Sequence, residues 1–301
     1  MTETVIRVEH LEKSYSGVEA VKDLSFEVEC GEIFGLLGPN GAGKTTTIRI
    51  LMDIVKPDAG SALVLGQAPG GARERVGYLP EERGLYRNLR VGECLTYLGQ
   101  LKGLSRATAQ RRAAELLARV ELTEWTRKRV QELSRGMQQK VQLIASLLHD
   151  PALVILDEPF QGLDPVNSEM VRDIIRELRG RGVTVILSAH EMSQVEALCD
   201  RIALIDHGRA VLYGALTDLK RQFAPNALEI SPPLALDGWP DVERTETHNL
   251  SQTVYLRPSA TPRDLLRKIF GAGLAVDRFE TASISLEEIF IAVVKGGASH
   301  D

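Results

Sequence analysis

The residues with the plainest chemical purpose form one short run, Gly38-Pro39-Asn40-Gly41-Ala42-Gly43-Lys44-Thr45, with Thr46 directly after it. Glycines at these spacings let successive backbone N–H groups converge on an anion with no side chain in the way. A lysine closing such a loop reaches the outer oxygens of a polyphosphate, and the neighbouring Thr45 hydroxyl suits Mg²⁺. The apolar run Ile33–Leu37 leads into the loop, and a helical pattern from about Thr45 to Met52 leads out of it. The loop therefore sits at a helix N-terminus, whose partial positive charge favours the same anion. This is the P-loop pattern. It implies nucleotide binding and leaves kinases, GTPases and many ATPases open.

Four other segments carry groups of the right type. The apolar stretch Ala152–Leu156 ends in Asp157-Glu158-Pro159, where Asp157 suits a Mg²⁺ shell and Glu158 suits the polarisation of an attacking water. In Leu133-Ser134-Arg135-Gly136-Met137-Gln138-Gln139 a hydroxyl and an exposed N–H stand at the head of a helical pattern, again aimed well for a phosphate. Ser188-Ala189-His190 closes the apolar run Val183–Leu187, and Gly162-Leu163-Asp164-Pro165 follows the acidic pair. Each has an ordinary reading when taken alone. Ser-x-Gly before a helix is also a plain N-cap, Asp-Glu can be a solvated strand end, and a histidine after a strand needs no function.

Together, and in their order along the chain, these segments resemble the ABC ATPase family over residues 1 to about 220. Leu133–Gln139 resembles the family signature, with Arg135 and Met137 departing from its commonest form. The resemblance implies that Tyr15, in Ser14-Tyr15-Ser16-Gly17, stacks on adenine. It implies that Asp164 lies in the loop crossing a dimer interface, and that His190 is the switch histidine, donating to the terminal phosphate and orienting water with Glu158. It further implies two stacked copies, with each ATP held between the P-loop of one and Ser134–Gly136 of the other, beside an integral-membrane permease. Gly77-Tyr78-Leu79-Pro80-Glu81-Glu82-Arg83-Gly84-Leu85-Tyr86 occupies the place where the family presents a glutamine that touches Mg²⁺; here Glu81 stands in that position. That wording, and Ser285-Leu286-Glu287-Glu288-Ile289-Phe290 near the end, resemble the ABC-2-type exporter branch that includes sodium-extrusion ATPases.

The elements needed to position these groups can be outlined from pattern. Ile33–Leu37, Leu153–Leu156 and Val183–Leu187 read as strands buried on both faces, as in a sheet covered by helices. The interval from Asp157 to His190 fits one strand-helix-strand unit. Residues 78–150 read as a mainly helical insertion. The expected fold class is α/β: a P-loop NTPase of ABC type with a helical subdomain over 1–222, then a small α+β domain over 223–301. In the latter, Thr253–Leu256 and a stretch near Leu274–Phe279 read as strands and a helix opens near Pro262. A final helix presents Leu286, Ile289, Phe290 and Val293 on one face, best explained as a packing face.

Composition sets bounds. A formal net charge of -5 and a pI near 5.8 argue against broad nucleic-acid binding. Cys30, Cys94 and Cys199 are few and far apart, without metal-ligand spacing, which suits a reducing compartment. The start Met1-Thr2-Glu3-Thr4 lacks signal-peptide features, and the apolar runs fall short of a membrane span. The expectation is a cytoplasmic protein, peripheral on the inner face of the cell membrane. A soluble ABC ATPase acting on ribosomes or DNA would instead pair two cassettes in one chain or carry coiled-coil or zinc insertions, none of which is seen. The other alternative is a nucleotide-dependent regulator that hydrolyses ATP weakly because Glu81 disturbs the site.

Lys44 is the loop's only side-chain cation. Lys44→Ala is expected to abolish useful ATP binding, measured as nucleotide affinity of the purified chain; unchanged affinity would remove the P-loop assignment.

Overall fold

The computed structural model describes residues 3–82 and 84–297. Met1, Thr2 and Arg83, which belong to stretches read above, lie outside the described residues. The chain divides into two compact units, Met1–Leu216 and Thr217–Asp301, ahead of the break expected at 222.

In the first unit, strands β1 (Thr4–Tyr15) and β2 (Val18–Glu29) precede β3 (Ile33–Leu37), helix α1 (Lys44–Leu51) and strand β4 (Ala59–Val64). Strand β5 (Val76–Leu79) leads to helices α2 (Val91–Leu101), α3 (Arg106–Arg119) and α4 (Arg135–Leu147). Then follow β6 (Leu153–Asp157), α5 (Pro165–Gly180), β7 (Thr184–Ala189), α6 (Met192–Glu196), β8 (Arg201–Asp206) and β9 (Arg209–Ala215). The insertion read from Tyr78 onward starts later, because Tyr78 and Leu79 complete β5 before the helices begin.

Two sheets result. β1, β2 and β4 form an antiparallel sheet in the order β2-β1-β4. The larger sheet has the order β5-β6-β7-β3-β8-β9, parallel throughout except for β9, which returns antiparallel to β8. Every residue of β3, β6 and β7 is buried, the mark of central strands covered on both faces. One apolar core joins the two sheets and α1: Ile6, Leu11 and Phe26 pack with Phe34, Ile48 and Ile155, and the Phe26 and Phe34 rings stack at 5.4 Å. The arrangement gathers the chemistry at one edge. The P-loop follows β3, Asp157 ends β6 and His190 follows β7, so all three leave the carboxyl ends of neighbouring strands, where open α/β sheets bind ligands.

The second unit begins with α7 (Leu216–Phe223) at the division and continues with β10 (Ala227–Ser231), β11 (Val242–His248), β12 (Ser251–Leu256), α8 (Pro262–Gly271), β13 (Arg278–Thr281) and α9 (Leu286–Gly297). Its antiparallel sheet has the order β11-β12-β10-β13, over a core of Leu228, Ile230, Val254, Leu256, Leu265 and Ile269. The strand expected near Leu274–Phe279 begins later, at Arg278: Gly273, at a φ of 73°, turns the chain after α8, and a loop precedes β13. Leu286 and Ile289 are buried and Phe290 and Val293 half-buried, the expected face of α9. No helix among the described residues is long and apolar enough to cross a membrane. Cys94 and Cys199 are buried free thiols and Cys30 is an exposed one.

Gly77 lets α4 approach β5. A Cβ there would lie 2.3 Å from the Ser146 carbonyl oxygen. Gly77→Ala is expected to cost about 1–3 kcal/mol of unfolding free energy. Gly180, closing α5 with open space around it, is the control: Gly180→Ala should be neutral or stabilising by up to about 1 kcal/mol. Denaturant titration of both variants decides it, and equal costs would contradict the packing account.

Candidate nucleotide site

The cradle is built by two glycines that nothing larger could replace. Gly38 has φ 146° and Gly43 φ 109°; a Cβ at the first would lie 2.0 Å from the Ile205 carbonyl oxygen, and at the second 2.3 Å from that of Ala20. The loop is thereby clamped between β8 and the start of β2. Lys44, only 6% exposed, donates through Nζ to the carbonyls of Gly38 at 2.6 Å and Pro39 at 3.2 Å, so its ammonium arches over the loop. Burial pushes its pKa down, and the carboxylates of Glu158, Asp157 and Glu81 pull it back up. A cavity of about 340 Å³ opens here, lined by Asn40, Gly41, Thr45, Thr46, Glu81 and Glu158 among others, with Ala42 and Gly43 also on its wall.

Beside it the two carboxylates part company. Asp157 is fully buried; its Oδ1 accepts from the Ser188 hydroxyl at 2.5 Å and, more loosely, from the Thr45 hydroxyl at 3.4 Å. Its Oδ2 is buried with no hydrogen-bond partner among the described residues. An orphaned carboxylate oxygen beside a threonine hydroxyl is a donor set that fits a hard divalent cation. Glu158 has a φ of 52°, a left-handed conformation that is costly for a non-glycine residue. Its carboxylate meets His190 Nδ1 at 2.9 Å, with Lys44 Nζ 3.8 Å from the other oxygen. Burial is the main cause of the raised pKa of both acids. For Asp157 it is opposed by the Ser188 and Thr45 hydrogen bonds; for Glu158 it is opposed by His190 and Lys44.

The remaining sequence-predicted residues fall into two groups. Glu81 lines the cavity with Thr45 and Glu158, whereas Glu82 turns outward to Arg49 at 3.6 Å. Tyr15, Ser134, Gly136 and Asp164 are not among the residues lining this cavity. Tyr15 lies exposed at the end of β1, with the Lys13 ammonium 5.5 Å from its ring centre. Ser134 caps its own helix, accepting from the Met137 N–H, and a Cβ on Gly136 would touch Leu163 at 3.5 Å. Asp164 caps α5 through the Asn167 N–H at 2.9 Å.

Comparison with known proteins now applies. The ABC transporter family model matches residues 21–161, and that of the ATP-binding protein DrrA1-3-like C-terminal domain matches residues 214–294. The daunorubicin/doxorubicin resistance ATP-binding protein DrrA of Streptomyces peucetius is 34% identical over 96% of this chain and 92% of its own. The chain belongs to the ATP-binding subunits of ABC transporters. The ABC transporter ATP-binding protein MJ1023 of Methanocaldococcus jannaschii is 45% identical over 73% of this chain and 80% of its own. A solved ATP-binding subunit of an ABC transporter superposes with a TM-score of 0.68 at 33% identity, covering 73% of this chain and 93% of that one. As an ABC ATPase the chain is an ATP hydrolase, and its second unit is a DrrA-like C-terminal domain.

Two residues of this ABC ATPase escaped sequence reasoning as site residues. Ser188 links the two carboxylates: it donates to Asp157 and accepts from the Glu158 N–H at 3.0 Å. Gln142, deep in α4, donates to the carbonyls on either side of Glu81. A serine at the end of an apolar strand was the one available hint for the first; nothing local marks the second. Ser188→Ala removes a hydrogen bond to a buried charge, typically about 1.5–3 kcal/mol. ATPase turnover is expected to fall by about 10- to 100-fold, with nucleotide affinity little changed; unchanged turnover would show that Ser188 does not position the acids.

Proposed function

We propose that this ABC ATPase powers an exporter through a separate integral-membrane permease, working as two stacked copies on the cytoplasmic face of the membrane. One observation carries the pairing: hydrogen bonds and ion pairs join the P-loop to Asp157 and Glu158, and Glu158 to His190, within one chain, while Ser134–Gly136, at the positive end of α4, does not line the cavity. A helix N-terminus of this kind suits an anion, and two copies stacked head to tail would bring it to the phosphates held by the neighbour. A groove of about 360 Å³ between α2 and α3 supports the partner reading. Arg90, Arg106 and Arg127 rim it, and Tyr97 on its wall meets the Tyr86 ring at 5.3 Å, along the run that continues from Glu81.

The chain's own residues divide the work. The loop N–H groups and Lys44 hold the outer phosphates, and the Lys44 ammonium exchanges its loop carbonyls for phosphate oxygens. Thr45 and Asp157, with Glu81 beside them, would hold Mg²⁺, which would supply charge neutralisation of the phosphates. Glu158 accepts a proton from, or polarises, the attacking water. His190 holds Glu158 through Nδ1 and leaves Nε2 to face the terminal phosphate. Tyr15 supplies a ring for the adenine, and Asp164 meets the partner copy across the interface. Positioning and charge do the chemistry here more than covalent steps.

Glu158→Gln keeps the shape and loses the charged base, a loss worth about 10²–10⁴-fold in rate. ATP should then accumulate in a closed dimer, eluting as a dimer with Mg-ATP while the wild type elutes mainly as a monomer. A variant that stays monomeric at saturating ATP refutes the shared site.

A further inference from the structure

Helix α4 carries three glutamines, Gln138, Gln139 and Gln142, and each spends its side-chain amide on a loop. Gln138 donates to the Val130 and Leu133 carbonyls, ahead of the signature. Gln139 approaches the carbonyls of Glu158 and Pro159 at 3.5 and 3.3 Å, holding the loop of the proposed base. Gln142 Nε2 uses both its hydrogens, on Pro80 O at 3.1 Å and Glu82 O at 3.0 Å. Those two carbonyls flank Glu81, so the bridge fixes the backbone on both sides of the residue that faces the cradle.

The choice of an amide is physically demanding. Gln142 is 4% exposed, and its Oε1 is buried with no partner, a cost of about 1–3 kcal/mol that an apolar residue would avoid. A carboxylate would set its oxygens against two carbonyls, and a methyl-ended side chain would leave both carbonyls unpaired. Among the described residues, exposed Glu81 has no side-chain hydrogen bond to keep it in place, and its outward neighbour Glu82 pairs with Arg49 at 3.6 Å.

We propose that Gln142 is a positioning residue: it pins the Pro80–Glu82 loop to the signature helix and so sets the distance from Glu81 to the metal end of the cradle. This rests on the reading of Glu81 as facing Mg²⁺. A helix that meets a neighbouring copy at its N-terminus is then tied, one amide at a time, to both acidic loops of its own site.

The test uses the full chain and three variants: Gln142→Met, which keeps the volume and loses the donors, Glu81→Gln, and the double variant. The readouts are the Mg²⁺ concentration for half-maximal ATPase activity, the maximal rate, and amide hydrogen exchange over residues 79–86. Gln142→Met should raise the half-saturating Mg²⁺ by about 5- to 20-fold, the worth of two ordinary hydrogen bonds, with a smaller change in maximal rate and faster exchange over 79–86. Glu81→Gln should raise the Mg²⁺ requirement in the same direction, and the double variant should shift no further than the larger single one. Additive shifts, or a lowered Tm with the Mg²⁺ curve unmoved, would reduce Gln142 to a packing role and overturn the proposal. If Glu81→Gln leaves the curve unmoved, the metal reading of Glu81 falls on its own. Gln142 is then judged by exchange: unchanged protection over 79–86 ends the proposal, and local loss, with 153–161 still protected, sustains the positioning. Should Gln142→Met fail to fold, Gln142→Ala, which cannot clash, is read the same way.

Discussion

The structure turns on a carboxylate with no access to water. Asp157 is completely buried, and a buried charge is tolerated only where its surroundings return what water supplied. One oxygen receives two hydroxyls, and the other is buried without a hydrogen-bond partner among the described residues. The sheet order follows from this need. Asp157 and Ser188 are register partners across β6 and β7, and β3, the next strand along, delivers Thr45 through the P-loop and α1. A slip of one residue in the β6–β7 ladder would turn the whole strand over, removing the serine from the acid and forcing two buried faces to repack.

The second acid depends on the first being fixed. Glu158 immediately follows Asp157, and an unbroken strand would point it to the opposite face. The left-handed turn at Glu158 breaks that alternation, at a local cost of about 1–3 kcal/mol. The surrounding contacts offset the cost: Ser188 accepts the Glu158 N–H, and Gln139 lies against the carbonyls of Glu158 and Pro159. Neighbouring acids thereby acquire distinct partners, one the Ser188 and Thr45 hydroxyls and the other His190.

Helix α4 is the other organiser. Its apolar face is buried with Val141, Leu143 and Ile144, and the close approach at Gly77 lets it lie against β5. From that seat Gln139 and Gln142 reach loops that are distant in sequence. The rigidity of the helix makes a single element answer to three loops at once, which separate loop-to-loop contacts could not do.

Much of this was legible in the sequence, and for a local reason. Glycine spacing before a lysine specifies a loop conformation within eight residues, and continuous apolar runs specify strands buried on both faces, so the cradle, β3, β6, β7 and the two acids could be read directly. The first helix and the strand-helix-strand unit from Asp157 to His190 came out close to the observed bounds. Less well marked were the start of the helical insertion, the break at Leu216, and β13, where a turn residue rather than hydrophobicity sets the boundary. The sequence by itself determined which residues could hold phosphate, metal and water. Tertiary structure alone decided that Ser188 joins the two acids and that Gln142 holds the loop between Pro80 and Glu82. Those pairings depend on strand register and on how a helix seats against a sheet, and a hydroxyl or amide carries no local sign of the distant group it will meet.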